Sequence, residues 1–353
     1  MHTEGWQIDP CIISTTSPRD NARTGPLHVD PPSDCMATAL CNMANSQSTA
    51  VLFARASRKS DVILPINDCA AIADPGVPAF YCVHSVSGAA GTDFLDLARQ
   101  LDSDVRFYGI QAPPAQIEAG DFGESIESLA DFYVEALVRF QPEGRILLGG
   151  YCVGAVIALA MANNLCGRGR EVGPLIAIDG VPENTAIHSS LWKPRYALEL
   201  MQNVRGWLKH ADLMRAWSMR SLIWSVTNNA SAIGKRAIGL RRGEKWGGGY
   251  SIEGIMDMSR YQRAHRSFIN RLFAALFTYA PPQYAGEVVV YEAQTTPLLY
   301  LPEIGRRWSG LAPASKVVRV VGTHISMMRQ PYVGALASDL RARITEFFAA
   351  RKA

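Results

Sequence analysis

One short segment of the chain combines a potential nucleophile with the residues that would expose it. Residues 147–155 read Leu-Leu-Gly-Gly-Tyr-Cys-Val-Gly-Ala, an apolar run that ends in Gly-x-Cys-x-Gly and continues into a helix-forming stretch. Larger side chains in place of the two glycines would collide across so tight a turn. The pattern predicts a strand–turn–helix nucleophile elbow with Cys152 at its tip.

A nucleophile of this kind needs a base within reach and an acid that orients the base. In α/β-hydrolases the acid and then the histidine follow the nucleophile along the chain. His324 comes directly after a late apolar strand pattern and is the predicted base, since no other histidine ends a late strand. Asp179, at the end of the strand pattern after the elbow helix, is the predicted acid. Glu292, at the end of the later strand pattern 287–291, is the alternative.

Two backbone N–H groups are expected to stabilise the oxyanion that forms during acyl transfer. One belongs to Val153, the residue after the predicted nucleophile. The other is expected from the small-residue loop 85–91, Ser-Val-Ser-Gly-Ala-Ala-Gly, where Val86 is the predicted donor. The same loop also fits a simple strand-to-helix connection. Its assignment to the oxyanion hole therefore depends on the elbow and His324 as well.

The elements around these residues alternate between strand and helix patterns from Val62 onward, which predicts a mostly parallel sheet with helices on both faces. Together with the nucleophile elbow, this sheet predicts an α/β-hydrolase fold. The predicted strands are 62–66, 79–84, 105–110, 145–149, 174–178, 287–291 and 316–321, and the predicted helices are 92–101, 124–140 and 153–166. A last helix is predicted to pack on the sheet through the stripe Val333, Leu336, Leu340, Ile344 and Phe347.

The chain is expected to form one hydrolase domain with an insertion. Residues 1–60 lack a sustained period and are predicted to be a flexible leader or linker. The domain proper is 61–353, with a core of 61–183 and 281–353. Between these parts, 184–280 reads as helices with five tryptophans and is predicted to be a helical lid.

Four motifs in order resemble the thioesterase domains that end polyketide and non-ribosomal peptide synthases. They are Phe-Tyr-Cys-Val-His-Ser at 80–85 with Gly88, Gly-Tyr-Cys-Val-Gly at 150–154, Ile-Asp-Gly at 178–180 and Gly-Thr-His-Ile-Ser-Met-Met at 322–328. The resemblance covers roughly Val62 to the C-terminus. It departs from the family at Cys152, where the elbow of such domains usually carries serine.

The resemblance implies an acyl or peptidyl substrate presented on the 4'-phosphopantetheine of a carrier protein, with no permanently bound cofactor. A thiolate that attacks a thioester yields another thioester, which stays reactive toward an amine, a hydroxyl group or water. We therefore expect acyl transfer or ring closure through Cys152, with hydrolysis as the alternative outcome. Between residues 184 and 271, the sequence contains fifteen Lys and Arg residues but only five Asp and Glu residues. This basic excess fits solvated helix faces or a docking surface for an acidic carrier protein, for which Arg241 and Arg242 are candidates.

Other readings of the same residues stay open. Dienelactone-hydrolase-like enzymes resemble this chain in their Gly-Tyr-Cys elbow, but they carry the acid late in the sheet. A catalytically silent binding module is a second alternative, and a cysteine put in place of serine to trap an acyl-enzyme is a third. The sequence does not distinguish a free-standing protein from a domain of a larger synthase.

The bulk composition excludes several classes of protein. The net charge of +3 gives no whole-protein case for nucleic-acid binding. The seven cysteines form no CxxC pair, so neither a disulfide framework nor a metal site is predicted. The longest apolar run is too short to cross a bilayer, and the N-terminus lacks a signal-peptide pattern. The default expectation is a soluble cytoplasmic protein without a membrane or nucleic-acid partner.

Overall fold

The computed structural model describes residues 62–102, 104–120, 122–182, 258, 261–295 and 304–350. The predicted leader, most of the predicted lid, and the docking candidates Arg241 and Arg242 lie outside these ranges. The division into leader, core and lid therefore stays a prediction. None of the helices in the described ranges has the length and apolar character that crossing a bilayer requires.

Strands and helices alternate through the described part of the chain. The strands are β1 Ile63–Pro65, β2 Ala79–Val83, β3 Arg106–Ile110, β4 Leu148–Tyr151, β5 Leu175–Ile178, β6 Val288–Thr295 and β7 Ser315–Thr323. The helices are α1 Asp68–Ile72, α2 Ala90–Asp93, α3 Leu95–Gln100, α4 Pro114–Ala119, α5 Ile126–Phe140, α6 Gly154–Gly167, α7 Arg263–Thr278, α8 Ile304–Leu311 and α9 Val333–Ala349. A short 3-10 turn, Ser326–Met328, lies between β7 and α9.

The strands form one sheet in the order β1-β3-β2-β4-β5-β6-β7. Neighbouring strands from β3 to β7 are parallel, and β1 pairs antiparallel with β3 at the edge. Because the carboxyl ends of parallel strands meet at one edge of a sheet, the loops after β2, β4, β5 and β7 converge there. The predicted α/β-hydrolase fold class and the predicted edge position of the first strand are confirmed.

Helices cover both faces of the sheet, so the central strands are apolar at every position. In β2, Tyr81 packs in the core under α5 and α6, whereas Phe80 packs in the core under α3 and α9. The stripe predicted for the last helix lies on α9: Val333, Leu336, Leu340 and Ile344 are each 0% exposed, and Phe347 packs against the same core.

Three elements differ from the predicted ones by a break in the helix or by a shift of more than two residues at one end. The predicted helix 92–101 is divided into α2 and α3 at Phe94, whose backbone leaves the helical conformation. Strand β4 begins at Leu148 and extends to Tyr151, so the elbow follows the strand without a gap. Strand β6 continues to Thr295 because β7 pairs with it as far as Thr323. Glu292 therefore lies within β6 and not at its end.

Candidate active site

Cys152 stands on a sharp turn between β4 and α6. Its φ is 59°, in the left-handed region that costs a non-glycine residue about 1–3 kcal/mol. The turn is held by the bond from the Cys152 N–H to the Ile178 carbonyl, at 2.9 Å. A Cβ at Gly150 would lie 2.0 Å from the Gly154 carbonyl oxygen, and one at Gly154 would lie 2.3 Å from the Val83 carbonyl oxygen. The two flanking residues must therefore be glycine, as the elbow pattern predicts.

The Cys152 side chain lies at the N-terminus of α6, which begins at Gly154. The first N–H groups of a helix have no partner within it, and the helix dipole favours negative charge at this end. A thiolate or an oxyanion at this position is therefore stabilised by the backbone itself.

His324 lies between Asp179 and Cys152. Its Nδ1 is 2.7 Å from Asp179 Oδ2, and its side chain also hydrogen-bonds Cys152. Because the carboxylate can only accept, Nδ1 carries a proton, and Nε2 is left to exchange a proton with the thiol. Sequence reasoning placed these three residues in one site, and the structure brings them together.

Asp179 is held in place through both of its carboxylate oxygens. Oδ1 accepts a hydrogen bond from the Ala293 N–H at 2.7 Å, while Oδ2 faces His324. Its side chain is 5% exposed, and its backbone φ is 46°. Gly180 follows because a Cβ there would lie 2.1 Å from the Cys152 carbonyl oxygen. The turn after β5 thus packs directly against the elbow.

The pKa of His324 is raised well above its ordinary value. Burial acts in the opposite direction, but it is outweighed by the charge of Cys152 and by the hydrogen bonds with Asp179 and Cys152. The site therefore favours an imidazolium beside Cys152, and a neighbouring cation of this kind activates a cysteine nucleophile.

Glu292, the alternative acid, makes other contacts. Its carboxylate lies 3.8 Å from Arg319 and accepts backbone N–H groups of Gly305 and Ile304. Burial raises its pKa, and Arg319 opposes this effect. The geometry thus brings Asp179, and not Glu292, to His324.

The two predicted oxyanion donors have no competing acceptor among the described residues. The loop after β2 forms a turn closed by the bond from the Gly88 N–H to the Ser85 carbonyl, at 3.1 Å. Val86 lies inside this turn, and Val153 is the N-cap residue that precedes the elbow helix. Free N–H groups at these positions fit an oxyanion hole, because they cost no reorganisation when charge develops.

Two side chains near the site were not predicted. Tyr151 donates a hydrogen bond to the His324 carbonyl at 2.7 Å, and its ring stacks on the His324 imidazole at 4.8 Å. His265, on α7, bonds the loop that carries Val86. The tyrosine was visible in the elbow motif, whereas nothing in the sequence marks the histidine.

Asp93 connects the same loop to α2. Its carboxylate accepts the Ser85 N–H at 2.7 Å and lies within 3.5 Å of the Ser87 hydroxyl. Burial raises its pKa, and the hydrogen bonds from Ser85 act against this.

In the described part of the chain, no three His, Cys, Asp or Glu side chains are grouped as a metal site requires.

Comparison with known families agrees with this geometry. Residues 78–243 match the family model described as Thioesterase domain. The resemblance to thioesterase domains inferred from the sequence is confirmed for this part of the chain. The match includes Cys152 and Asp179 and ends before His324.

Similar curated proteins are large synthases. The chain is 34% identical over 122 residues to malpinin synthetase of Mortierella alpina, covering 35% of this chain and 2% of that protein. It is 30% identical over 137 residues to the polyketide synthase PksR of Bacillus subtilis, covering 39% and 5%. The enterobactin synthase component F of Escherichia coli is 32% identical over 112 residues, covering 31% and 8%. The chain therefore spans a small fraction of these relatives.

Two solved thioesterase domains are similar in structure. The NocB thioesterase domain from the nocardicin cluster gives a TM-score of 0.47 at 22% identity, covering 81% of this chain and 99% of that one. The wild-type Vlm2 thioesterase domain gives 0.46 at 17% identity, covering 80% and 96%.

Proposed function

We propose that this domain takes an acyl or peptidyl chain from the phosphopantetheine thioester of a carrier protein and passes it to a nucleophile. The observation that carries the proposal is His324, which bonds Asp179 at 2.7 Å on one side and Cys152 on the other. The similarity of the chain to polyketide and non-ribosomal peptide synthases supports a carrier protein as the partner.

In the first step, the Cys152 thiolate attacks the thioester carbonyl. A bond forms from Sγ to the carbonyl carbon, and the carbonyl electron pair moves to oxygen, where the N–H groups of Val153 and Val86 stabilise it. When this intermediate collapses, the bond to the pantetheine sulfur breaks. The His324 imidazolium then gives its Nε2 proton to the leaving thiolate.

In the second step, an amine, a hydroxyl group of the same chain or another molecule, or water attacks the Cys152 thioester. The nucleophile gives its proton to His324 Nε2, and Cys152 leaves as the thiolate. Exchange of one thioester for another is nearly neutral in energy, so the acyl-enzyme keeps the activation of its substrate. This reasoning favours transfer or ring closure over hydrolysis. Arg241 and Arg242 stay candidates for docking the carrier protein.

Intact-protein mass spectrometry tests the proposal. Incubation with an acyl-pantetheine thioester is expected to add one acyl mass to the protein, and a candidate amine is expected to remove it as the amide. Cys152→Ala is expected to add no mass, and Cys152→Ser is expected to react more slowly and to release different proportions of products.

Two results would count against transfer or ring closure through a Cys152 thioester. One is that water is the single acceptor used by the wild type. The other is that Cys152→Ser gives the same products at the same rate. Because the protein has seven cysteines, peptide mapping must place the acyl group on Cys152.

A further inference from the structure

Helix α7 contacts the loop that carries Val86 through a histidine outside the proposed triad. His265 Nε2 lies 2.5 Å from the Ser87 carbonyl oxygen. A carbonyl oxygen can only accept, so Nε2 carries the proton and donates it. The ring of His265 stacks on Tyr261 at 5.2 Å and meets Phe268 edge-on at 6.1 Å. These aromatic contacts fix the orientation of the donor.

The bond from His265 reaches the centre of the turn formed by residues 85–88. The two ends of this turn are held by other elements, since Asp93 accepts the Ser85 N–H and the Ala112 N–H donates to the Gly88 carbonyl. The Ser87 carbonyl shares a planar peptide group with the Gly88 N–H, and the Ser85 carbonyl shares one with the Val86 N–H. Because the Gly88 N–H donates to the Ser85 carbonyl, holding the Ser87 carbonyl also restrains the direction of the Val86 N–H.

Packing adds to this hold. Phe268, one turn further along α7, is fully buried beside Gly88. A Cβ at Gly88 would lie 2.9 Å from the Phe268 ring, and the φ of Gly88 is +79°. The turn thus rests on α7 through one hydrogen bond and one close apolar contact.

We propose that His265 is a positioning residue, which keeps the Val86 N–H directed at the oxyanion by holding the Ser87 carbonyl. The inference rests on the proposed function, because an oxyanion forms when Cys152 attacks a thioester. Loss of a complete oxyanion donor costs about 10²–10³ in rate. Misdirection of the same donor is expected to cost about tenfold or more.

The test compares two reactions of the same sulfur. Acylation of Cys152 by an acyl-pantetheine thioester passes through an oxyanion, whereas alkylation by iodoacetamide displaces iodide from a saturated carbon and forms none. His265→Phe keeps an aromatic ring but removes the donor. It is expected to slow acylation at least about tenfold and to leave the alkylation rate of Cys152 within about twofold of the wild type. His265→Gln, which keeps an N–H donor, is expected to recover part of the acylation rate.

Asn270→Ala, at an exposed position of the same helix, is the matched control and is expected to leave both rates unchanged. Each variant is first checked for cooperative unfolding, and His265→Leu replaces His265→Phe if the latter does not fold. The inference is overturned if His265→Phe is acylated at the wild-type rate, if both rates fall together, or if His265→Gln is no better than His265→Phe. A wild type that is never acylated at Cys152 would instead overturn the proposed function.

Discussion

Asp179 forms two hydrogen bonds of equal length, and the two partners differ in whether they can only donate or can also accept a hydrogen bond. The Ala293 N–H can only donate, whereas His324 Nδ1 can donate or accept according to its tautomer. An amide in place of the carboxylate would keep its oxygen toward Ala293 and turn its NH₂ group toward His324. Nδ1 would then be forced to accept, and Nε2 would hold the proton that it must exchange with the thiol.

We therefore predict that Asp179→Asn folds normally but loses activity. Its kcat/KM for an acyl-pantetheine thioester is expected to fall at least about a hundredfold, because the wrong tautomer of His324 is favoured. Glu292→Gln is the matched control and is expected to stay within about threefold of the wild type. Full activity of Asp179→Asn would reopen the dienelactone-hydrolase-like reading, in which the acid lies late in the sheet.

At the scale of elements, the elbow depends on close contact between three backbone segments. A Cβ at Gly154 would lie 2.3 Å and 2.4 Å from the carbonyl oxygens of Val83 and His84. These oxygens belong to β2 and the start of its loop, so neither can move without disturbing the sheet. Gly167, at the other end of α6, has open space around it.

Gly154→Ala is predicted to destabilise the fold by about 3 kcal/mol or more, since the new methyl group overlaps fixed backbone atoms. Gly167→Ala is predicted to be neutral or to stabilise by up to about 1 kcal/mol, because alanine is the better helix former. Urea unfolding monitored by circular dichroism measures both effects. Equal stabilities of the two variants would contradict the close approach at Gly154.

The elements that the sequence predicts well are those that its local pattern determines. The elbow, β2 and α9 follow from runs of apolar residues and glycines within a few positions. Helices α4 and α8 were not predicted, because each is short and is fixed by distant contacts. In α8, the buried Trp308 donates to the Gly180 carbonyl at 2.7 Å, across 128 residues of sequence. No local pattern records such a contact.

The same distinction applies to the site. Cys152, Asp179 and His324 were predicted to form one site because each follows a strand pattern in a fixed order along the chain. The bond from Tyr151 to the His324 carbonyl spans 173 residues, and that from His265 to Ser87 spans 178. These contacts arise from packing of the complete domain, so the residue types alone did not indicate them.

At the scale of the whole molecule, one buried histidine links stability to pH. His84 is fully buried; its Nδ1 lies 2.5 Å from the Ser85 carbonyl oxygen and its Nε2 lies 2.6 Å from the Tyr133 hydroxyl. The carbonyl requires a proton on Nδ1, so Nε2 of the neutral ring accepts a hydrogen bond from the Tyr133 hydroxyl. Burial lowers the pKa of His84 to about 4.

The unfolded chain titrates at this histidine near pH 6.5. Between pH 6.5 and about 4, the unfolded state therefore binds a proton that the folded state does not. The contribution of neutral His84 to stability is complete above pH 6.5 and is lost as the pH falls through this window. The expected loss in the free energy of unfolding is about 3 kcal/mol.

The prediction is checked by urea unfolding at several pH values in the wild type and in His84→Gln, whose amide can satisfy the same two partners without titrating. The pH dependence of the variant is expected to be smaller by about 3 kcal/mol over the window. Tyr133→Phe removes one hydrogen bond but keeps the imidazole, so it is expected to be less stable with most of the pH dependence retained. The same pH dependence in the wild type and in His84→Gln would show that His84 titrates alike in both states.

The left-handed backbone at residue 152 also bears on how such a site can evolve. The turn fixes where the side chain stands, and sulfur and oxygen at its tip differ by one atom. Exchange of cysteine and serine at this position would thus change the chemistry of the side chain without rebuilding the fold. Residues 150, 154 and 180 have no such freedom, because any added atom would overlap the backbone of another segment. The nucleophile at the tip of this elbow can therefore vary, whereas the glycines that build the elbow cannot.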